Sequence, residues 1–170
     1  MRNKHFEFVE GDTITTGPGR TLKRIRALAA IATLGIVPGD VGGYVESDAN
    51  LSGDAWVSGD ARVYGDALVS GNARVYGDAR VSGDARVYGD ARVYGNDSIL
   101  VVGPAKSSGR YTTAHKDEKL GVLVNCGCFS GSVLEFSKAI EDSHKNNKAH
   151  LEQYRLFCQL ISFNFDVEAK

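Results

Sequence analysis

Between residues 43 and 102 the apolar positions recur every six residues, a period that fits neither a continuous strand nor an amphipathic helix. Each unit reads Val-x-Gly-Asp-Ala-x, with few errors. The aliphatic position is filled by Val45, Leu51, Val57, Val63, Val69, Val75, Val81, Val87, Val93 and Ile99. Two residues ahead of each stands a small side chain, Gly43, then Ala49, Ala55, Ala61, Ala67, Ala73, Ala79, Ala85 and Ala91, until Asp97 breaks the series. Dipeptides such as Gly53-Asp54, Gly71-Asn72 and Gly95-Asn96 precede the small residue or mark its expected place. They predict turns, because Gly, Asn and Asp tolerate positive φ.

A turn every six residues with a short strand between bends the chain by a constant angle, and three bends close a coil. Eighteen residues then make one rung. The aliphatic and small residues point inward and their neighbours outward. Stacked rungs pair their backbones at about 4.8 Å and set each Val over the Val eighteen residues on. A pentapeptide solenoid and a nine-residue calcium-binding roll both fail on period. The array resembles the hexapeptide-repeat proteins, and that resemblance, not the spacing, implies a left-handed parallel β-helix. The expected fold is therefore mainly β, a three-sided solenoid of about three rungs.

The flanks read differently. Residues 1–40 predict an N-terminal hairpin cap, with strands near His5 to Val9 and Thr21 to Ala27 joined around Gly17-Pro18-Gly19. Ala27 to Leu34 is ambiguous between strand and helix. Residues 41–104 form the β-helix, bracketed by Pro38 and Pro104 and free of proline inside, as a central ladder requires. Residues 105–170 predict a small α+β module. In it Tyr111 to His115 and Leu120 to Phe129 pair across Lys116-Asp117-Glu118-Lys119. Ser132-Val133-Leu134-Glu135 has capping-box spacing and opens a helix with Val133, Phe136 and Ile140 inward. A second helix from about Ala149 carries His150, Tyr154, Phe157 and Ile161 on one stripe.

Composition narrows the functional classes. The net charge of −1 provides no global drive for polyanion binding, so strong nucleic-acid binding is not expected. Residues 41–104 hold five Arg and no Lys against eight Asp and one Glu, net −4, which leaves room for local basic columns only. The start lacks a secretory apolar region, and the longest apolar stretch, Ala27 to Val37, is too short to span a bilayer. A cytoplasmic protein without membrane contact is expected. Three cysteines, Cys126, Cys128 and Cys158, an odd number, suit a reducing compartment.

Acyltransferases built on such arrays use a histidine base, yet His5, His115, His144 and His150 all lie outside the repeat. A γ-type carbonic anhydrase needs three histidines on the solenoid and is excluded. No catalytic residue and no cofactor is assigned. Cys126-Gly127-Cys128 would put two thiols on one face of a predicted strand, half of a tetrahedral zinc site, although two small buried side chains beside a required glycine explain it more simply. The outward positions are more informative. One face collects Trp56, Ser58, Arg74, Tyr76, Arg92 and Tyr94, and Trp, Tyr and Arg carry binding energy because they join large area to a polar handle. Trp56, Arg74, Tyr76, Arg92 and Tyr94 are the candidate ligand or partner site, although Tyr and Arg are also good residues for a solvated sheet.

Three segments extend the resemblance: Thr21-Leu22-Lys23-Arg24-Ile25-Arg26-Ala27-Leu28, Gly39-Asp40-Val41-Gly42-Gly43-Tyr44-Val45-Glu46, and Cys126-Gly127-Cys128-Phe129-Ser130-Gly131. Together with the Gly-Asp-Ala-Arg-Val-Tyr array they resemble a group of small phage and prophage proteins. That resemblance implies fold and viral origin. The expectation is a non-enzymatic accessory binding protein of the host-cell cytoplasm, an anti-defence factor that binds a host immune protein or sequesters a nucleotide-type signal. The family resemblance also implies a homotrimer. A hexapeptide-repeat acyltransferase using acyl-CoA and a structural or assembly part of a phage particle are the alternatives.

Overall fold

A computed structural model describes residues 5–17, 19–117 and 119–168. Two residues read as turn positions, Pro18 and Glu118, lie outside it. The chain forms two compact units, Met1–Asn96 and Asp97–Lys170.

The first unit begins with β1 (Phe6–Thr15) and β2 (Thr21–Ala27), an antiparallel pair whose register shifts between Phe8 and Thr13. The first strand is thus longer than the period alone suggests, because the irregularity at residues 9–12 lets it continue past a polar stretch. Ala27 to Leu34 is neither strand nor regular helix after β2 ends. Ile31 bridges Ile36 around a single 3-10 turn at Ala32–Leu34, closed by Gly35 in the left-handed region. β3 (Val41–Val45) pairs antiparallel with β2 and parallel with β5 (Arg62–Val63). The hairpin therefore joins the repeat edge to edge. Arg24 fastens this junction, its Nε donating to Asp12 at 2.8 Å and its Nη2 to the Tyr44 hydroxyl at 2.6 Å, with its guanidinium 4.2 Å over the Tyr44 ring.

The repeat supplies β4 (Trp56–Val57), β6 (Leu68–Val69), β7 (Arg74–Tyr76), β8 (Arg80–Val81), β9 (Arg86–Val87) and β10 (Arg92–Tyr94). All of their pairings are parallel, and each joins residues eighteen apart: β4 with β7 and β7 with β10, β5 with β8, β6 with β9. The chain thus returns to the same ladder after visiting two others. Val45, Val57, Val63, Val69, Val75, Val81, Val87 and Val93 are fully buried, and the alanines from Ala55 to Ala91 almost so. At about 25 cal/mol per Å² of apolar surface, this continuous column is the main source of the unit's stability. The corners stack as well, with Asn72 N donating to Gly89 O at 2.9 Å.

Ile99 does not continue the array as its tenth aliphatic position. It opens β11 (Ile99–Val102), which pairs antiparallel with β12 (Thr112–Asp117) and belongs to the second unit. The unit before it is also broken. Asp97 replaces the small corner residue, and Asn96–Ser98 winds into a 3-10 turn instead.

In the second unit β12 pairs with β13 (Gly121–Cys126), and β13 with β14 (Phe129–Ser132). Ser132 caps α1 (Val133–His144) with the reciprocal Glu135 bond the sequence predicts, and Val133, Phe136 and Ile140 are buried. α2 (Lys148–Phe165) is capped by Asn147, and its buried stripe is Leu151, Tyr154, Phe157, Cys158 and Ile161. His150 yields its predicted inward place to Leu151. Among the described residues, no helix is long and apolar enough to cross a membrane.

Candidate functional site

The eighteen-residue return fixes the candidate face. Cα partners across β4, β7 and β10 are Trp56, Arg74 and Arg92 in one row, and Tyr76 and Tyr94 in another. Identical side chains at consecutive rungs therefore stack. The Tyr76 and Tyr94 rings lie 5.0 Å apart at 45°, and the Arg74 guanidinium sits 5.4 Å from the Tyr76 ring centre. Tyr94 is 60% exposed, whereas Arg74, Tyr76 and Arg92 are half-buried. The Nε of Arg74 is buried without a hydrogen-bond partner, which leaves that guanidinium held by the ring rather than by an acceptor.

Tyr94 has a seat that the periodicity alone does not reveal. A Cβ on Gly77 would stand 2.7 Å from the Tyr94 ring. The corner glycine seventeen residues earlier thus leaves the space that the ring occupies. The signal was present as the glycine of every hexad, but its use by a ring on the next rung needs the stacking to be known.

Trp56 does not belong to the open face. It is 1% exposed. The N-terminal chain reaches this rung, with His5 Nε2 3.7 Å from Asp54 Oδ1, two residues away from Trp56. An outward-pointing position on the first rung is covered, while its equivalents at Arg74 and Arg92 are not. The usable column is accordingly Arg74, Tyr76, Arg92 and Tyr94.

The thiols are also placed differently from the sequence expectation. Cys126 pairs with Phe129, so Gly127 and Cys128 are the two residues of a hairpin turn between β13 and β14, with Gly127 at φ +61°. They do not share one face of a strand. Among the described residues, no group of three His, Cys, Asp or Glu side chains is arranged to hold a metal ion. Cys126, Cys128 and Cys158 are free thiols.

Histidine chemistry is equally constrained. His115 is fully buried, its Nδ1 3.2 Å from the Lys116 carbonyl oxygen and its Nε2 3.2 Å from Asn125 Nδ2. A neutral ring satisfies both contacts, with Nδ1–H donating and Nε2 accepting. Burial holds its pKa below the usual histidine value, against the opposing pull of the Lys116 carbonyl and the Asp117 charge. A base so enclosed does not meet a substrate. His144 is stacked on Tyr154, ring centres 4.9 Å apart at 14°.

Parallel ladders, an eighteen-residue return and a buried Val/Ala column define a β-solenoid repeat protein. The array is similar to the YdcK Beta solenoid repeat, whose family model matches residues 55–71, 61–77, 73–87 and 85–98. These matches lie inside the first unit and its exit, and the N-terminal hairpin and most of the second unit fall outside them. No curated protein matches the chain.

Proposed function

We propose that this is a non-enzymatic binding protein whose solenoid presents the Arg74, Tyr76, Arg92 and Tyr94 column to a nucleotide-type ligand. In this reading the solenoid is three-sided and left-handed, as in the hexapeptide-repeat proteins. The chain is a phage-encoded accessory factor of the host cytoplasm, which sequesters a signal of a defence system or binds one of its proteins. The observation that carries it is the aromatic and cationic pairing: two tyrosine rings 5.0 Å apart, tilted at 45°, with a guanidinium 5.4 Å from one of them. A base stacks on such rings for about 1–3 kcal/mol, and arginine supplies the fork that matches a phosphate. A homotrimer fits the same reading and places three copies of the column in one particle.

Native mass spectrometry of the protein purified gently from host cells tests the proposal. A trimer carrying nucleotide-sized extra mass that is lost on combined replacement of Arg74, Tyr76 and Arg92 by alanine is the expected result. Retention of that mass by the triple variant overturns the site, and a bare monomer that binds no nucleotide in titration overturns the function.

A further inference from the structure

The geometry points to a second, unrelated site: we propose that the C-terminal unit binds a small aromatic carboxylate in the cavity between α1, α2 and the β13–β14 turn. The cavity measures about 280 Å³. An enclosed apolar cavity of about 150 Å³ takes a benzene ring, and this one, open to solvent on one side, is of the size of a single ring with a small substituent. Its floor is aromatic. Phe129 and Phe136 lie 5.2 Å apart, and Tyr154 meets Phe136 edge-on at 6.2 Å. The imidazole of His144, stacked on Tyr154, extends this wall as a flat surface.

The rim supplies the charge. Arg110 lines the cavity, is exposed, and has no carboxylate partner among the described residues. Its guanidinium lies against the hairpin turn, where a Cβ on Gly127 would come within 2.8 Å of Nη1. Gly127 therefore serves twice: it takes the left-handed turn conformation and leaves the space that the guanidinium occupies. Ser107 also lines the cavity, and its Oγ is buried without a hydrogen-bond partner. A buried hydroxyl in that state costs free energy until something accepts from it. No Asp or Glu lines the cavity, so an entering anion meets no like charge. A carboxylate that accepts from Arg110 at the rim while its ring rests against Phe129 draws on the charge and the aromatic lining together.

The test is a titration of the full chain with benzoate and phenylacetate, with benzamide as the uncharged analogue, followed by calorimetry and by the aromatic and imidazole proton resonances. The expected result is saturable binding of the carboxylates that shifts the Phe129, Phe136 and His144 signals, with benzamide about tenfold weaker, the worth of one charge-assisted hydrogen bond. Arg110→Gln, an exposed change that leaves the core untouched, lowers carboxylate affinity to the benzamide level and leaves benzamide unaffected. No saturation at millimolar carboxylate, equal affinity for benzamide and benzoate, or unchanged carboxylate binding by the Arg110→Gln variant would each overturn the assignment.

Discussion

The corner glycines offer a controlled measurement of how tightly the rungs stack. Gly71 and Gly83 occupy equivalent corners with left-handed φ of +75° and +63°. An alanine at either pays the same backbone strain, about 1–2 kcal/mol, offset by roughly 0.4–1 kcal/mol from a stiffer unfolded chain. The surroundings differ. A Cβ on Gly83 meets nothing within 4 Å, whereas one on Gly71 would stand 2.9 Å from Gly89 O and 3.0 Å from Gly89 N. Both contacts are backbone, and the adjacent Asn72 N to Gly89 O bond is already at its ordinary 2.9 Å. Relief therefore requires two rungs to move apart, an overpacking cost of about 1–3 kcal/mol. Gly83→Ala is expected to cost about 1 kcal/mol and Gly71→Ala about 2–4. The assay is guanidinium unfolding followed by tryptophan fluorescence, which reports the solenoid unit alone because Trp56 is the single tryptophan and is buried there. With a shared slope, the difference in midpoint gives the difference in stability. Equal midpoints for the two variants would refute the close stacking of the corners.

Three further outcomes follow from titratable groups. Burial depresses the His115 pKa, so its contribution is fully present above about pH 6.5 and is lost as pH falls, because the unfolded chain takes a proton that the folded one refuses. His115→Gln should flatten the stability profile between about pH 5 and 7, and a profile parallel to that of the unmodified protein would argue against it. Glu46 accepts Gly65 N at 2.6 Å and pairs with Arg20 at 2.9 Å, contacts that hold its carboxyl below the usual value, Gly65 first. Glu46→Gln is expected to cost about 1 kcal/mol at neutral pH, a deficit that disappears in thermal melts as pH drops through the carboxylate range. Burial pushes the Cys158 thiol up to about 11, whereas Cys128 is exposed. Iodoacetamide under mildly alkaline native conditions should therefore modify Cys128 before Cys158, and peptide mapping showing the reverse order would contradict the packing of α2.

Period carries most of what the sequence reveals here. A side chain repeated every six residues with a turn between has one way to be buried, and the valines and alanines accordingly line the interior. The capping box at Ser132 is as legible, because both its bonds are local. What period cannot say is where a repeat stops or what lies over it. Ile99 has the right residue type, but the corner before it is Asp97, and at Ile99 the chain has already left the ladder for an antiparallel pairing with β12. Trp56 has the right outward phase, yet on the first rung that position is buried. Cys126-Gly127-Cys128 sits within an alternating stretch, and only the pairing of Cys126 with Phe129 shows that the strand has already reversed. Each of these depends on contacts between distant segments, for which one sequence holds no periodic signal.

The same repetition that makes the fold legible also creates the chemistry of its surface. A strict eighteen-residue return sets like on like, Arg62 beside Arg80 and Arg74 beside Arg92. Two unit charges held at the rung spacing of about 4.8 Å repel by about 1 kcal/mol in bulk water and by more near a low-dielectric surface. The array offsets this with its acidic corners, net −4 over residues 41–104, and with ring faces, since Arg74 lies over Tyr76 and so gains a cation–π contact. At the 92–94 edge Arg92 and Tyr94 stand two residues apart on one strand, and Tyr94 is open to solvent.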